Sequence, residues 1–245
     1  MKILRTAAAL AASLTLSSIF PTVAAASAQH TAEAPRSNVS VTTGRPRGDE
    51  ARDLRTLEGA MRDMDRRGYA GLTRHISALK TALDRAPDAY GIIEHETPTL
   101  WIIRSNDLGQ ALTLATMATM NEGGATRILQ QPNVYGNIAL MLGSEAVERH
   151  SYAEAIAFLD RGLAFQPDNS FLSSEKAAAM QGLGQHEAVL VMIDGAIAKI
   201  GLGASVEQAM LLRRRGASLI ELGRLDEARE AFEQSIVVLP ENPVA

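Results

Sequence analysis

The stretch from Ser151 to Asn169, SYAEAIAFLDRGLAFQPDN, recurs in outline from Arg224 to Asn242 as RLDEAREAFEQSIVVLPEN. The two are equal in length, set Ala155 and Ala228 at the same point, and close on Pro-Asp-Asn and Pro-Glu-Asn. Such a recurrence constrains a chain more than its composition does. A short amphipathic unit cannot bury its apolar face alone, so copies must stack and share one continuous core. Neither copy carries a group suited to catalysis, so the repetition makes a shape.

From about Tyr135 each unit reads as two amphipathic helices. The first unit opens with GNIALMLGSEAVERH, which holds Leu142-Gly143 in its middle. A tight turn follows, and SYAE from Ser151 to Glu154 predicts a capping box that starts the second helix. Ala155, Leu159 and Gly162 then face the first helix, and Pro167 ends the unit. The second unit sets Ala177, Gly184, Ala188, Met192 and Gly195 in matching places, with its turn shortened by a residue. The third sets Gly216, Gly223, Ala228, Phe232, Ser235 and Pro240 there. Small residues are expected where helices cross, because overfilling a packed interior costs roughly 1–3 kcal/mol. The units span residues 136–169, 170–208 and 209–242, within a region taken as 135–245.

The spacing of about 34 residues, the Leu-Gly pair, the alanine after Asp-Glu and the closing proline resemble the tetratricopeptide repeat. The middle unit departs from it, with no closing proline and with His186 where an aromatic is usual. The resemblance implies a mainly α, antiparallel helix-hairpin solenoid whose first helices line a concave groove for a peptide or partner protein. By register that groove is lined by Asn137, Leu140, Met141 and Ser144, then Ser174, Glu175 and Ala178, then Arg213, Arg214 and Ala217. The lysine and asparagine with which some such repeats clamp a carboxylate are missing. Arg213 and Arg214 could instead offer bidentate bonds to an acidic ligand, or belong to a solvated face paired with Glu207 or Glu221. Arg215 points by register to the packing side.

Residues 49–134 carry a different pattern. Leu54, Leu57, Met61 and Met64, then Leu72, Ile76, Leu79 and Leu83, predict a helical hairpin, in which the landmarks of the repeat do not appear. YGIIEHETPTLWIIRS, β-branched and aromatic around Thr97-Pro98, predicts a small β-hairpin near residues 91–104. A helix over NDLGQALTLATMATMNEGG follows, then a short helix around Ala125–Gln130 before Pro132.

The N-terminus has Lys2 and Arg5, then an apolar stretch ending near Pro21 and small residues at Ala26–Ala28. This is the pattern of a signal peptide over residues 1–28, so the protein is expected to be exported, and periplasmic in a Gram-negative source. Residues 29–48 are poor in large apolar side chains and read as a disordered tether. After cleavage no membrane insertion is expected.

The chain has a net charge of −4 and no cysteine. That excludes thiol chemistry and argues against nucleic acid as a partner, which would call for a basic face. No cofactor or metal is called for. Glu94, His95 and Glu96 are the nearest thing to a catalytic or metal-binding group, and strand alternation sets His95 opposite both acids. The single histidines have no partner at i+4. Three readings remain: a non-catalytic protein- or peptide-binding scaffold of the cell envelope, an enzyme or metal protein with its site in residues 89–134, and a spacer tethered by an uncleaved N-terminus. The apolar flank around Phe232 and Val238 offers a contact for a second copy.

Overall fold

The computed structural model describes residues 40–106, 108–122, 127–200 and 205–240. They lie in one compact unit, Val39–Ala245. Its C-terminal part is three helix hairpins: α4 (Val134–Glu148) with α5 (Tyr152–Phe165), α6 (Ser170–Gly182) with α7 (His186–Ile197), and α8 (Ser205–Glu221) with α9 (Leu225–Val238). Each first helix packs on both helices of the preceding hairpin, α6 on α4 and α5, α8 on α6 and α7. The result is a TPR-like solenoid.

Close approach explains the small residues. A Cβ added to Gly143 would stand 2.5 Å from the Leu159 side chain, one on Gly162 2.8 Å from Leu172, and one on Gly216 2.7 Å from Phe232. Gly195 differs, with nothing within 4 Å of an added Cβ. The capping box at Ser151 does not form: Ser151 makes no side-chain cap bond. Its hydroxyl accepts from Arg149 instead (3.0 Å), while Glu154 accepts from Lys80 (2.6 Å) and Arg149 (2.8 Å). Two cations at hand outcompete a backbone amide for that carboxylate.

The N-terminal helices α1 (Gly48–Arg67) and α2 (Ile76–Asp84), joined through a 3-10 turn at Gly68–Gly71, both pack on α4. That is the relation α4 and α5 have to α6, so this hairpin takes the place of a degenerate leading unit. Leu54, Leu57, Ala60, Leu72, Leu79 and Leu83 bury against Val134, Tyr135, Ile138 and Leu142. Each such leucine contributes about 1.5–3 kcal/mol by leaving water. Met61 is a correction: Ala60 fills the buried position, and Met61 is 43% exposed.

A polar seam ties the hairpin down. Asp53, 1% exposed, accepts from Arg85 and from the Tyr135 hydroxyl (3.1 Å). The Tyr90 hydroxyl donates to Glu50 (2.8 Å) and accepts from the Val134 amide (3.0 Å). Burial, then the negative charge beside them, pushes both phenols up in pKa.

The expected β-hairpin is present as β2 (Ile93–Thr97) and β3 (Leu100–Arg104), but as half of a larger sheet. The order is β1-β4-β3-β2, where β1 is Ser40–Thr43 and β4 is Arg127–Gln131. β3 pairs antiparallel with β2 and parallel with β4, which pairs parallel with β1. Two expectations are corrected here. Ser40–Thr43, placed in the tether, is a strand whose Val41 and two threonines suit an extended edge. Arg127–Gln131, expected as a short helix, is the strand that closes a β3–α3–β4 crossover, with Ile128 buried beneath α3 (Leu108–Glu122). A segment this short makes too few turns to sustain a helix, whereas two flanking strands satisfy its backbone on both sides.

Ala111 and Ala115 of α3 pack on Ile103 and Ile128. The opposite face meets the helical body through Arg104, which is 6% exposed. Arg104 bonds Glu94 (2.5 Å) and the Gly91 carbonyl (3.1 Å) and lies 4.2 Å over the Tyr90 ring. The predicted signal segment, residues 1–28, lies outside the described residues. No helix among the described residues is long and apolar enough to cross a membrane.

Candidate functional site

The first helices α4, α6 and α8 form the inner row of the solenoid, and helical spacing puts one stripe of side chains from each on the same side. On α4 the stripe is Asn137, Leu140, Met141 and Ser144. The structure does not leave it open. Asn137 exchanges amide hydrogen bonds with Asn106 (3.0 and 3.1 Å). Leu140 is half-buried against the core below α6. Met141 and Ser144 are 7% and 2% exposed.

The cover over Ser144 involves Tyr69, in the 3-10 turn that leaves α1. Tyr69 packs against the core shared by α1, α2 and α4. Its hydroxyl neighbours Ser144, and burial, then the charges of Glu175 and Glu148, push its pKa up to about 12. Among the described residues Ser144 Oγ, beside that hydroxyl, is buried without a hydrogen bond of normal geometry. The turn is fixed where it leaves α1, because a Cβ on Gly71 would stand 2.2 Å from the Asp63 carbonyl oxygen. Met141 and Ser144 therefore do not line an open groove, since the leading hairpin packs over them. Tyr69 was missed in the sequence, although an aromatic bracketed by Gly68 and Gly71 was a signal for it.

On α6, Ser174 is 1% exposed and a correction too: it accepts from Arg214 Nε (3.4 Å). Glu175 is half-buried, 4.0 Å from Arg214 Nη2. Gln181 donates to the Arg214 carbonyl (2.8 Å) and to Ser218 Oγ (2.9 Å). Arg214 is thus held between the two helices, paired with Glu175 rather than Glu207 or Glu221. Arg215 faces the packing side and bonds Asp194 of α7 (2.9 Å).

Arg213 differs from both. It is half-buried on α8, forms no ion pair among the described residues, and its Nε is buried without a hydrogen-bond partner. Ala178 and Ala217 lie partly open on the same stripes. Sequence reasoning missed two members. Phe171, three residues before Ser174, is 40% exposed, and Ile220, three after Ala217, is 48% exposed. Phe171 holds the register in α6 that Asn137 holds in α4, which was the available signal. The open part of the inner row is therefore on α6 and α8: one aromatic, one aliphatic and one unpaired guanidinium beside two alanines.

Glu94–Glu96 does not converge into a site. Glu94 bonds Arg104, while His95 stacks on Trp101, with centroids 4.4 Å apart. Among the described residues no three His, Asp or Glu side chains gather as a metal site.

A family model described as the tetratricopeptide repeat matches residues 209–242, the hairpin of α8 and α9. No curated protein sequence matches the chain. Among solved structures, it is similar to the first TPR of Spaghetti (RPAP3) bound to the HSP90 peptide SRMEEVD, at 25% identity and a TM-score of 0.39, over 44% of this chain and 82% of that one. It is also similar to a mutant of MamA, at 15% identity and a TM-score of 0.35, over 78% of this chain and 99% of that one. Residues 209–242 thus carry a tetratricopeptide repeat, the last of three hairpins built on one plan.

Proposed function

We propose that the protein is a non-catalytic scaffold that binds an extended protein segment along α6 and α8, with an acidic group of the ligand on Arg213. The observation that carries this reading is Arg213, half-buried and without an ion pair among the described residues, on a row that also exposes Phe171 and Ile220. A buried donor without an acceptor is costly, and a carboxylate from a ligand would satisfy it with a charge-assisted bond. Exposed aromatic and aliphatic neighbours supply the apolar contact that fixes such a segment. Arg214 takes a lesser part, already committed to Ser174 and Glu175.

The scaffold is exported through residues 1–28 and works in the cell envelope, a reading supported by the charge pattern at Lys2 and Arg5 and the small residues before Gln29. N-terminal sequencing of the natural protein separates it from a tethered spacer, which would keep Met1. A second copy docks on the flank of the last hairpin. There a cavity of about 450 Å³ opens between α8 and α9, lined by Leu212, Glu233, Val237 and Val238, and Val237 is 78% exposed.

Peptide display against the folded protein tests the reading. Selected peptides should be enriched in an acidic residue beside apolar ones. Arg213→Glu should weaken them at least about tenfold, while Arg229→Glu on α9 leaves them unchanged. Peptides that bind Arg213→Glu as well as the parent, with both melting alike, would reject the groove.

A further inference from the structure

β3 and β4 are parallel neighbours, yet their chains leave the sheet on opposite sides. β3 leads into α3, which covers the face of Ile103 and Ile128. β4 leads into α4, on the side where Arg104 meets Tyr90. Parallel strands whose helices depart this way leave a crevice beyond their carboxyl ends, the usual place for a ligand in sheets of this kind. The protein has a cavity of about 290 Å³ there, walled by residues that follow β1, β3 and β4 and by α1.

Much of the polar wall is satisfied internally. Thr43 Oγ1 donates to Gln130 Oε1 (3.2 Å), and Gln130 Nε2 donates to the Ser105 carbonyl (3.0 Å). Three lining groups are not. Gln131 is 6% exposed, and its carboxamide has no hydrogen-bond partner among the described residues. Arg45 is exposed at the mouth and Glu58 half-buried on α1, and neither forms an ion pair with the other or with any described residue. One cation, one anion and one carboxamide thus line a shared space without using one another. A polar atom arriving with a ligand supplies the hydrogen bond that the Gln131 carboxamide makes with no described residue.

We infer that this crevice binds a small zwitterion of amino-acid size, its carboxylate on Arg45, its ammonium on Glu58 and a polar atom on Gln131. Size agrees: at roughly 30 Å³ per water molecule the cavity holds about ten, the bulk of a free amino acid. An anion alone would meet Glu58, and a cation alone Arg45, so the lining discriminates against singly charged ligands. The residues involved are not those of the solenoid groove, so either site can fail without the other. Segment 89–134, which no repeat explains, supplies Gln131 and the Ser105 carbonyl.

The test is calorimetric titration of the full chain with the common amino acids, singly at millimolar concentration, beside the N-acetyl and carboxamide derivatives of any that binds. At least one amino acid should saturate the protein, and both derivatives should bind about tenfold more weakly or worse. Arg45→Met and Glu58→Gln should each weaken it about tenfold, with melting in the absence of ligand unchanged, whereas Arg47→Met has no effect. Gln131→Leu sits in β4 and could unsettle the sheet, so the decision rests on Arg45 and Glu58. No binding by any amino acid, or binding that survives both of those variants, overturns the assignment.

Discussion

Asp63 stands at the C-terminal end of α1, 5% exposed, yet gathers three basic side chains. His75 Nε2 donates to its Oδ2 (2.6 Å), Arg74 bonds the same oxygen, and Arg67 lies 3.5 Å from the other. The His75 bond is the main cause that lowers the Asp63 pKa from 3.8 to about 2, against the opposing effect of burial and with Arg74 and Arg67 adding to it. A carboxyl whose pKa is depressed on folding stabilises the native state above its unfolded value and loses that contribution as pH falls through the folded one. Thermal unfolding should therefore show the protein more stable than Asp63→Asn at pH 7, with the gap closing between about pH 4 and pH 2. A gap independent of pH in that window would mean the charge of Asp63 does not hold the hairpin. The same scale shows what repetition hides. Gly184 and Gly223 turn at φ 73° and 72°, and the matching position of the first unit is His150 at φ 60°. A left-handed residue without glycine's freedom is costly, and a hydrogen bond between His150 Nδ1 and the Tyr152 hydroxyl (2.7 Å) helps offset it.

Among the elements, the hairpins were legible because each crossing needs a small residue at a fixed offset, and the sequence writes that need in Gly143, Gly162 and Gly216. Gly143→Ala should destabilise the protein by about 1–3 kcal/mol, since its Cβ would meet Leu159. Combining it with Leu159→Ala should cost less than the two singly, because the truncated side chain vacates the space the new methyl takes. Additive losses in chemical denaturation would show that the two do not share this crossing. The sheet was legible only where partners are adjacent in sequence. β2 and β3 announce each other through the turn between them, whereas β1 and β4 pair across more than eighty residues, and RILQQ alone carries no period that separates strand from helix. From the sequence the stripe is expected to be open along its whole length, whereas Met141, Ser144 and Ser174 are buried. What fills the α4 end comes from Tyr69 and Asn106, and nothing in the α4 sequence points to them.

Over the whole molecule, the leading hairpin does two things at once. It buries the apolar side of α4, as a capping unit of a solenoid must. Through Tyr69 it also covers part of the α4 row, and Asn106, just after β3, covers Asn137, which leaves α6 and α8 as the face on which a ligand segment can lie. Repetition decided the fold, and departures from repetition decide the candidate site: Phe171 matches Asn137 and Met210 in the other units, and Arg213 matches Leu140 and Ser174. The measurement that tests this most directly is amide shift mapping of the labelled protein with a peptide selected by display. Perturbations should gather on Phe171–Ala178 and Arg213–Ile220 and spare the outer face of α9. Shifts centred instead on the α8–α9 flank or on the sheet, with those two segments silent, would contradict it.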